Sequence, residues 1–237
     1  GSSLSNMASL PFNAKGMRQP MMKRSQSQPI SLSSDIPSPA GGSKPKVTVA
    51  VKTLDECKKK MKSTLKEFFF VGDTKDAMLN IQDLIMADHE GSDAREKQIM
   101  QTAFFFVMEA KKGDLPKFFT LLRECVPKLA PATIPNALQD PLEFLNDIEL
   151  DAPLARSHLA QIVGELITLN VIQMDILTKN SPDYFREESK AATFACKVLK
   201  SMKDRDPTPE DIAIVESLKT EKDGDATAQE LIAAAVL

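Results

Sequence analysis

The sequence predicts an all-α protein, an irregular α-solenoid of antiparallel helix hairpins behind a disordered N-terminal arm. Three observations lead there. The chain holds 12 Phe and 11 Met but no Trp and one Tyr, with few β-branched runs outside Val47–Val51, a balance that favours helix over sheet. From Leu54 onward, apolar residues recur at helical spacing in stripe after stripe. Short breaks rich in Gly, Pro and Asp separate the stripes, which makes successive helices antiparallel neighbours. Hairpins that each bury one face stack into a solenoid more readily than they close a four-helix bundle, and no strict repeat period is present.

Residues 1–53 are rich in Ser, Pro, Gly and Met, with "SSDIPSPAGGSKPK" at 33–46. Their apolar content does not offset the entropy of ordering, so the arm is expected to be disordered. Residues 1–34 carry Lys15, Arg18, Lys23 and Arg24 and no acid, as organelle transit peptides do, but prolines and glycines break any amphipathic helix there. The start at Gly1-Ser2, without a methionine, reads as a processed or excised fragment or an expression scar.

The first helical stripe is Met61, Leu65, Phe68 and Phe69, with Gly72 as its C-cap. Asp73 starts a second helix, with Asp76 three residues on and Ala77, Ile81, Leu84 and Ile85 on one face. "DHEGSD" at 88–93 is a loop whose Asp93 caps the third stripe: Ile99, Ala103, Phe106, Val107 and Ala110. Lys111 and Lys112 suit that helix's C-terminus. Gly113-Asp114 then restarts the chain for Leu115, Phe118, Leu122, Cys125 and Leu129. Pro127, Pro131 and Pro135 interrupt, and Ile134, Leu138, Leu142, Leu145 and Ile148 follow. Pro141 within that stripe predicts a kink or a broken pair of helices, with Asp140 capping the second. Leu154, His158/Leu159, Ile162/Val163 and Leu166/Ile167 make the strongest stripe. A last core helix is expected from Pro182, carrying Phe185, Ala191, Phe194, Val198 and Met202. Weaker helical pieces at 208–220 and 226–236 bring the total to about eight helices. The domain organisation is then an arm (1–53), a helical domain (54–203) and a helical C-terminal tail (204–237).

No apolar run approaches the roughly 18 residues of a membrane span. Cys57, Cys125 and Cys196 lie far apart and are odd in number, which argues against a disulfide framework or zinc site and for a reducing, cytoplasmic setting. The net charge of −3 hides an asymmetry: residues 1–66 carry twelve basic and three acidic side chains, so +9, and the remainder −12. An acidic body attracts a basic protein surface and repels nucleic acid, while the basic arm suits weak contact with RNA.

Enzyme signatures are missing: there is no Gly-rich phosphate loop, no H-x-x-x-H pair and no G-x-S-x-G. No catalytic residue, metal site or cofactor is expected. His89, beside Glu90, reads as a solvated loop residue, and His158, on an apolar face, as a satisfied core histidine. Cys125 and Cys196 read as core. The triple phenylalanines at 68–70 and 104–106 must point three ways, part into the core and part between neighbouring helices. In the arm, "RSQSQP" fits R-S-x-S-x-P, the pattern 14-3-3 proteins read once the second serine is phosphorylated. Arg24, Ser27 and Pro29 are its key positions.

"LNDIELDAP" at 145–153 packs Asp147, Glu149 and Asp151 between two apolar segments. As local structure, Asp151 caps a helix over 152–170 with Pro153 in its first turn. That leaves Asp147 and Glu149 unexplained. A helical domain with D-x-x-L-D-x-P at 147–153, followed by L-x-x-x-V-x-E-L from Leu159 to Leu166, resembles the MA-3 domain. "KEFFFVGDTKDAMLNIQDL" at 66–84 adds E-x-x-x-x-G-D-x-x-D-A, the opening of that domain's first hairpin, and the resemblance covers about 54–203. MA-3 domains occur in eukaryotic translation initiation factor 4 gamma scaffolds and in programmed cell death protein 4, a translation repressor with two tandem copies.

The resemblance implies HEAT-like helix hairpins and binding to the DEAD-box RNA helicase initiation factor 4A. The family's helicase-contacting aspartates fall on Asp147 and Asp151, and its proline on Pro153; Glu149 is outside the family pattern and ranks lower. Two carboxylates on one rim suit charge-assisted hydrogen bonds from a partner's Arg or Lys. One copy behind a Ser/Pro/basic linker looks more like a scaffold tail than the repressor. The expected function is therefore a translation initiation module that docks this helicase and modulates mRNA recruitment and unwinding. The alternatives are a repressor that sequesters the same helicase and a generic helical RNA-binding adaptor.

Overall fold

The structure is a computed structural model that describes residues 52–85, 92–188, 190–203 and 205–237. Arg24, Ser27 and Pro29 of the arm, and His89 and Glu90, lie outside the described residues, as does the start of the "DHEGSD" segment. The described residues are helical throughout, with turns between and no strand. The fold is an all-α solenoid.

Helix α1, Leu54–Val71, starts at a capping box that the sequence reading passed over. The Thr53 hydroxyl accepts from the Glu56 amide at 3.2 Å, and the Glu56 carboxylate accepts from the Thr53 amide at 2.7 Å. Those hydrogen bonds, the backbone one foremost, hold the Glu56 carboxyl below its ordinary value. The helix stops at Gly72, in the left-handed region at φ 83°, where a side chain would be strained. Asp73 then accepts from the amides of Lys75 and Asp76 at 2.9 and 3.1 Å and so caps α2, Thr74–Ile85. Helix α3, Ser92–Met108, begins one residue before Asp93, so Asp93 sits in its first turn rather than capping it.

Helices α1 and α3 run the same way. Arg95 reaches the Lys52 carbonyl at one end, and Phe69 stacks on Phe106 at 5.9 Å near the other. Helix α4, Leu115–Cys125, returns antiparallel to α3, with Phe104 and Phe118 edge to face at 6.5 Å and Cys125 against Met100. Helix α5, Thr133–Glu143, runs parallel to α3 again. Its start is held by Glu96, a buried carboxylate that accepts from the Ala130 amide at 2.9 Å and the Thr133 hydroxyl at 2.6 Å. Alternation of this kind, each hairpin burying its inner stripe on the last, is the solenoid principle at work. Gln101 and Asp140 also bond across α3 and α5, so Asp140 ties two helices together instead of capping one.

Helix α6, Leu145–Asp151, and α7, Ala155–Thr168, follow. Pro141 lies inside α5, and the break comes three residues later, at Phe144. The pair is broken as expected, but not at the proline. Beyond α7 come α8, Ile176–Lys179, and α9, Asp183–Glu188. Helix α10, Ala191–Ser201, starts after Lys190, whose φ of 51° breaks the helix predicted as continuous from Pro182. Phe185 and Phe194 nonetheless meet edge to face at 5.4 Å across that break. The tail forms α11, Pro209–Ser217, and α12, Ala228–Ala234, each opened by a capping box, at Thr208 and Thr227. Val215, Leu218 and Ala228 are buried in the same core as α10.

All three cysteines are buried. Burial pushes the Cys125 thiol up to about 12 and the Cys196 thiol up to about 11. Protonated, inaccessible sulfurs are poor nucleophiles. Alkylation near about pH 8 is therefore expected to label none of the three in the folded protein within minutes and all three after unfolding. Rapid labelling of Cys125 in the folded state would contradict the packing of α4 on α3. No described helix is long and apolar enough to cross a membrane, and no described cluster of His, Cys, Asp and Glu is placed to hold a metal ion.

Candidate functional site

The acidic stretch forms α6 itself. Pro141 offers no amide to the α5 ladder, and the chain leaves helical geometry at Phe144, with φ −91° and ψ 11°. Helix α6 then makes two turns, closed by the Ala152 amide on the Ile148 carbonyl at 2.8 Å. Leu145 is buried and Ile148 half-buried, which fixes the inner face.

Asp147 and Asp151 are four residues apart and so lie on one face. Both are exposed, and neither side chain has a hydrogen bond or ion pair among the described residues. Asp151 is the last residue of α6, not the cap of α7. Helix α7 starts at Ala155 after a turn of Ala152, Pro153 and Leu154, and its N-cap position, Leu154, offers no side-chain bond. Pro153 thus stands in the link between the helices, not in a first turn. The expected cap is overturned because the Leu145 and Ile148 stripe carries α6 through Asp151 before the chain turns.

Glu149 faces the other way. At 3.6 residues per turn it lies about 180° around the helix from the midpoint of Asp147 and Asp151. There it takes the Arg156 guanidinium, at 2.9 Å from Nε and 2.8 Å from Nη2. The structure brings Asp147, Asp151 and Pro153 together on one groove and turns Glu149 away from them.

That groove, about 750 Å³, has two walls. One is α6 and the link, with Asp147, Ile148, Asp151, Pro153 and Leu154; the other is Met108, Glu109 and Ala110 at the end of α3. His158 holds the second wall in place. Buried on α7, its Nδ1 lies 3.2 Å from the carbonyls of both Val107 and Met108 and donates to the end of α3, where the Val107 carbonyl also accepts from the Ala110 amide at 3.1 Å. The core reading of His158 is right for Nδ1, while Nε2 is buried without a partner among the described residues.

Glu109 is the residue that sequence reasoning missed. It is exposed in the turn after α3 and makes no ion pair among the described residues. Its place beside α6 depends on packing between elements some forty residues apart, and nothing local to "MEAKKGD" signals it. Among the described residues the groove therefore carries three carboxylates and no basic side chain, with apolar flanks from Ile148, half-buried, and Leu154, 48 % exposed. Three acids unpaired among the described residues around an open groove can accept charge-assisted hydrogen bonds from a guanidinium or ammonium group, while the flanks offer apolar contact. A groove so built suits a basic protein surface.

Comparison with known families gives one finding of direct use: the family model of the MA3 domain matches residues 57–173. The match runs from the first turn of α1 past the end of α7, so it contains both walls of the groove and stops short of α8. It is narrower at its C-terminal end than the resemblance read from the sequence. Neither the curated proteins nor the solved structures give a significant match to the chain.

Proposed function

Residues 57–173 are an MA3 domain, a helical protein-interaction domain, and from that premise we propose that this chain is a module of translation initiation that docks the DEAD-box RNA helicase initiation factor 4A. The observation that carries the reading is the face made by Asp147 and Asp151, both exposed and unpaired among the described residues, with Pro153 beside them in one groove. Their spacing matches the aspartates by which the family contacts the helicase. Unpaired carboxylates keep their full capacity for a basic partner. Docking there tunes mRNA recruitment and unwinding in the cytoplasm; a repressor would use the same face to hold the helicase away from its scaffold.

The arm adds two proposals. Phosphorylation of Ser27, framed by Arg24 and Pro29, would create a 14-3-3 ligand, and the +9 charge of residues 1–66 supports weak contact with RNA.

The test is a titration of fluorescently labelled, purified initiation factor 4A with the whole chain. Saturable binding at about micromolar or tighter dissociation constants is expected, weakening as salt rises from about 0.1 to 0.5 M. No binding up to about 100 μM would overturn the reading. Tight RNA binding that survives removal of residues 1–51 would favour the RNA-binding adaptor, because the remaining body is acidic.

A further inference from the structure

We propose that Arg156, which lies outside the groove, is the positioning residue that sets the aim of Asp147 and Asp151. Helix α6 is too short to stand alone, since isolated helices under about 12 residues are marginal in water. Only Leu145 of α6 is fully buried, so apolar packing grips it weakly. Ile148 adds only a half-buried contact, and a two-turn helix with one full and one partial apolar contact keeps freedom to roll about its axis.

Arg156 supplies the second and third points. Its side chain, 10 % exposed on α7, donates to Glu149 and also, through Nη2 at 2.9 Å, to the Asn146 side-chain oxygen. Asn146 passes the restraint on, donating to the Glu188 carbonyl of α9 at 3.2 Å. Asn146 and Glu149 are three residues apart on the inner side of α6. A planar guanidinium that holds both fixes the rotation of the helix, which a point charge cannot do. With Glu149 fixed inward, the opposite face must present Asp147 and Asp151 to the groove. The same pairing neutralises Glu149, leaving the two aspartates as the unpaired charges of α6. Glu149, ranked as a direct helicase contact from the sequence, is reassigned as part of this clamp.

The inference rests on the proposed docking of the helicase, and a double-mutant cycle separates the two. Helicase affinity is measured for the whole chain, for Arg156→Gln, for Asp147→Asn/Asp151→Asn, and for the triple variant, with circular dichroism and melting curves alongside. Arg156→Gln is expected to weaken binding about fivefold or more in the wild-type background and less than about twofold when the aspartates are already neutral. Arg156→Lys keeps the charge but not the fork, and should recover only part of the loss.

Equal losses in both backgrounds would mean general loosening and would overturn the positioning role. Unchanged or tighter binding by Arg156→Gln would also overturn it, pointing to a freed Glu149 as a direct contact. Wild-type affinity in Asp147→Asn/Asp151→Asn would overturn the docking reading itself, and the inference with it. If Arg156→Gln does not fold, Asn146→Ala removes the second grip from the α6 side and is read in the same cycle.

Discussion

Asp147→Lys is expected to weaken binding of initiation factor 4A at least tenfold while helical content is unchanged and stability moves only slightly. Removing one partner of a buried interfacial charge pair typically costs about 2–5 kcal/mol of binding, and reversing the charge costs no less. Tenfold is about 1.4 kcal/mol, so the threshold is modest. The fold has little to lose, because Asp147 is exposed and partners nothing among the described residues. It does lie in the first turn of α6, where an acid suits the helix dipole, and a lysine there costs about 0.3–1 kcal/mol. Asp151→Lys provides the internal control. It should lose binding in the same way, yet a cation at the last residue of α6 suits the dipole, so stability should hold or rise slightly. Were Asp151 an N-cap, the same change would cost about 1 kcal/mol. Melting curves of the two variants thus check the structure, and titrations check the function. Wild-type affinity in both variants would reduce α6 to a surface helix with no part in docking.

That control exists because one sequence-based expectation was wrong in an instructive way. Asp-Ala-Pro reads equally well as a helix start and as a helix end followed by a turn. Local chemistry cannot choose between them. The choice is made by Leu145 and Ile148, whose burial carries α6 through Asp151 before the chain turns. Gly72 and Asp73 were legible for the opposite reason: a left-handed stop and a carboxylate cap act within three residues and compete with nothing. Lys190 shows the limit most plainly. Glu188, Ala191 and Ala192 around it are good helix formers, and Ser189 is only a weak local signal for the φ of 51° at the start of α10. The packing of Phe185 on Phe194 shows where tertiary contact overrides propensity.

The site divides along the same line. Asp147, Asp151 and Pro153 were reached through the resemblance of D-x-x-L-D-x-P to the MA-3 pattern, and the helix found over Leu145–Asp151 then puts the two aspartates, four apart, on one face. Glu109 could not be reached in that way, because it joins them through the packing of the end of α3 on α7, the His158 bonds included. Nor could the roles within the acidic triplet. Glu149 lies on the opposite side of a two-turn helix from Asp147, and the arginine it pairs with there stands seven residues on.

The two triple-phenylalanine runs offer the sharpest test of the fold, because the same side chain at different positions of a run predicts opposite results. Phe104→Ala is expected to cost about 3–5 kcal/mol, and Phe70→Ala to stay within about 0.5 kcal/mol of wild type. Phe104 is 0 % exposed and meets Phe118 edge to face, joining α3 to α4, so its removal opens a cavity between two hairpins. Phe70 is 91 % exposed at the end of α1, so truncating it takes little apolar surface out of the core. Between the extremes, Phe69 and Phe106 are half-buried and stack on each other, so each should cost an intermediate amount, with a coupling between them of about 0.5–1.5 kcal/mol. Urea denaturation of the whole chain measures all four. In a solenoid each hairpin is stabilised by its neighbours, so a cavity between α3 and α4 should also loosen the end of α3 that carries Glu109. Phe104→Ala is therefore expected to weaken helicase binding as well as lower the unfolding midpoint, while Phe70→Ala changes neither. If the two single variants unfold within about 1 kcal/mol of each other, the assignment of inner and outer faces to α1 and α3 is wrong, and with it the wall that Glu109 contributes to the groove.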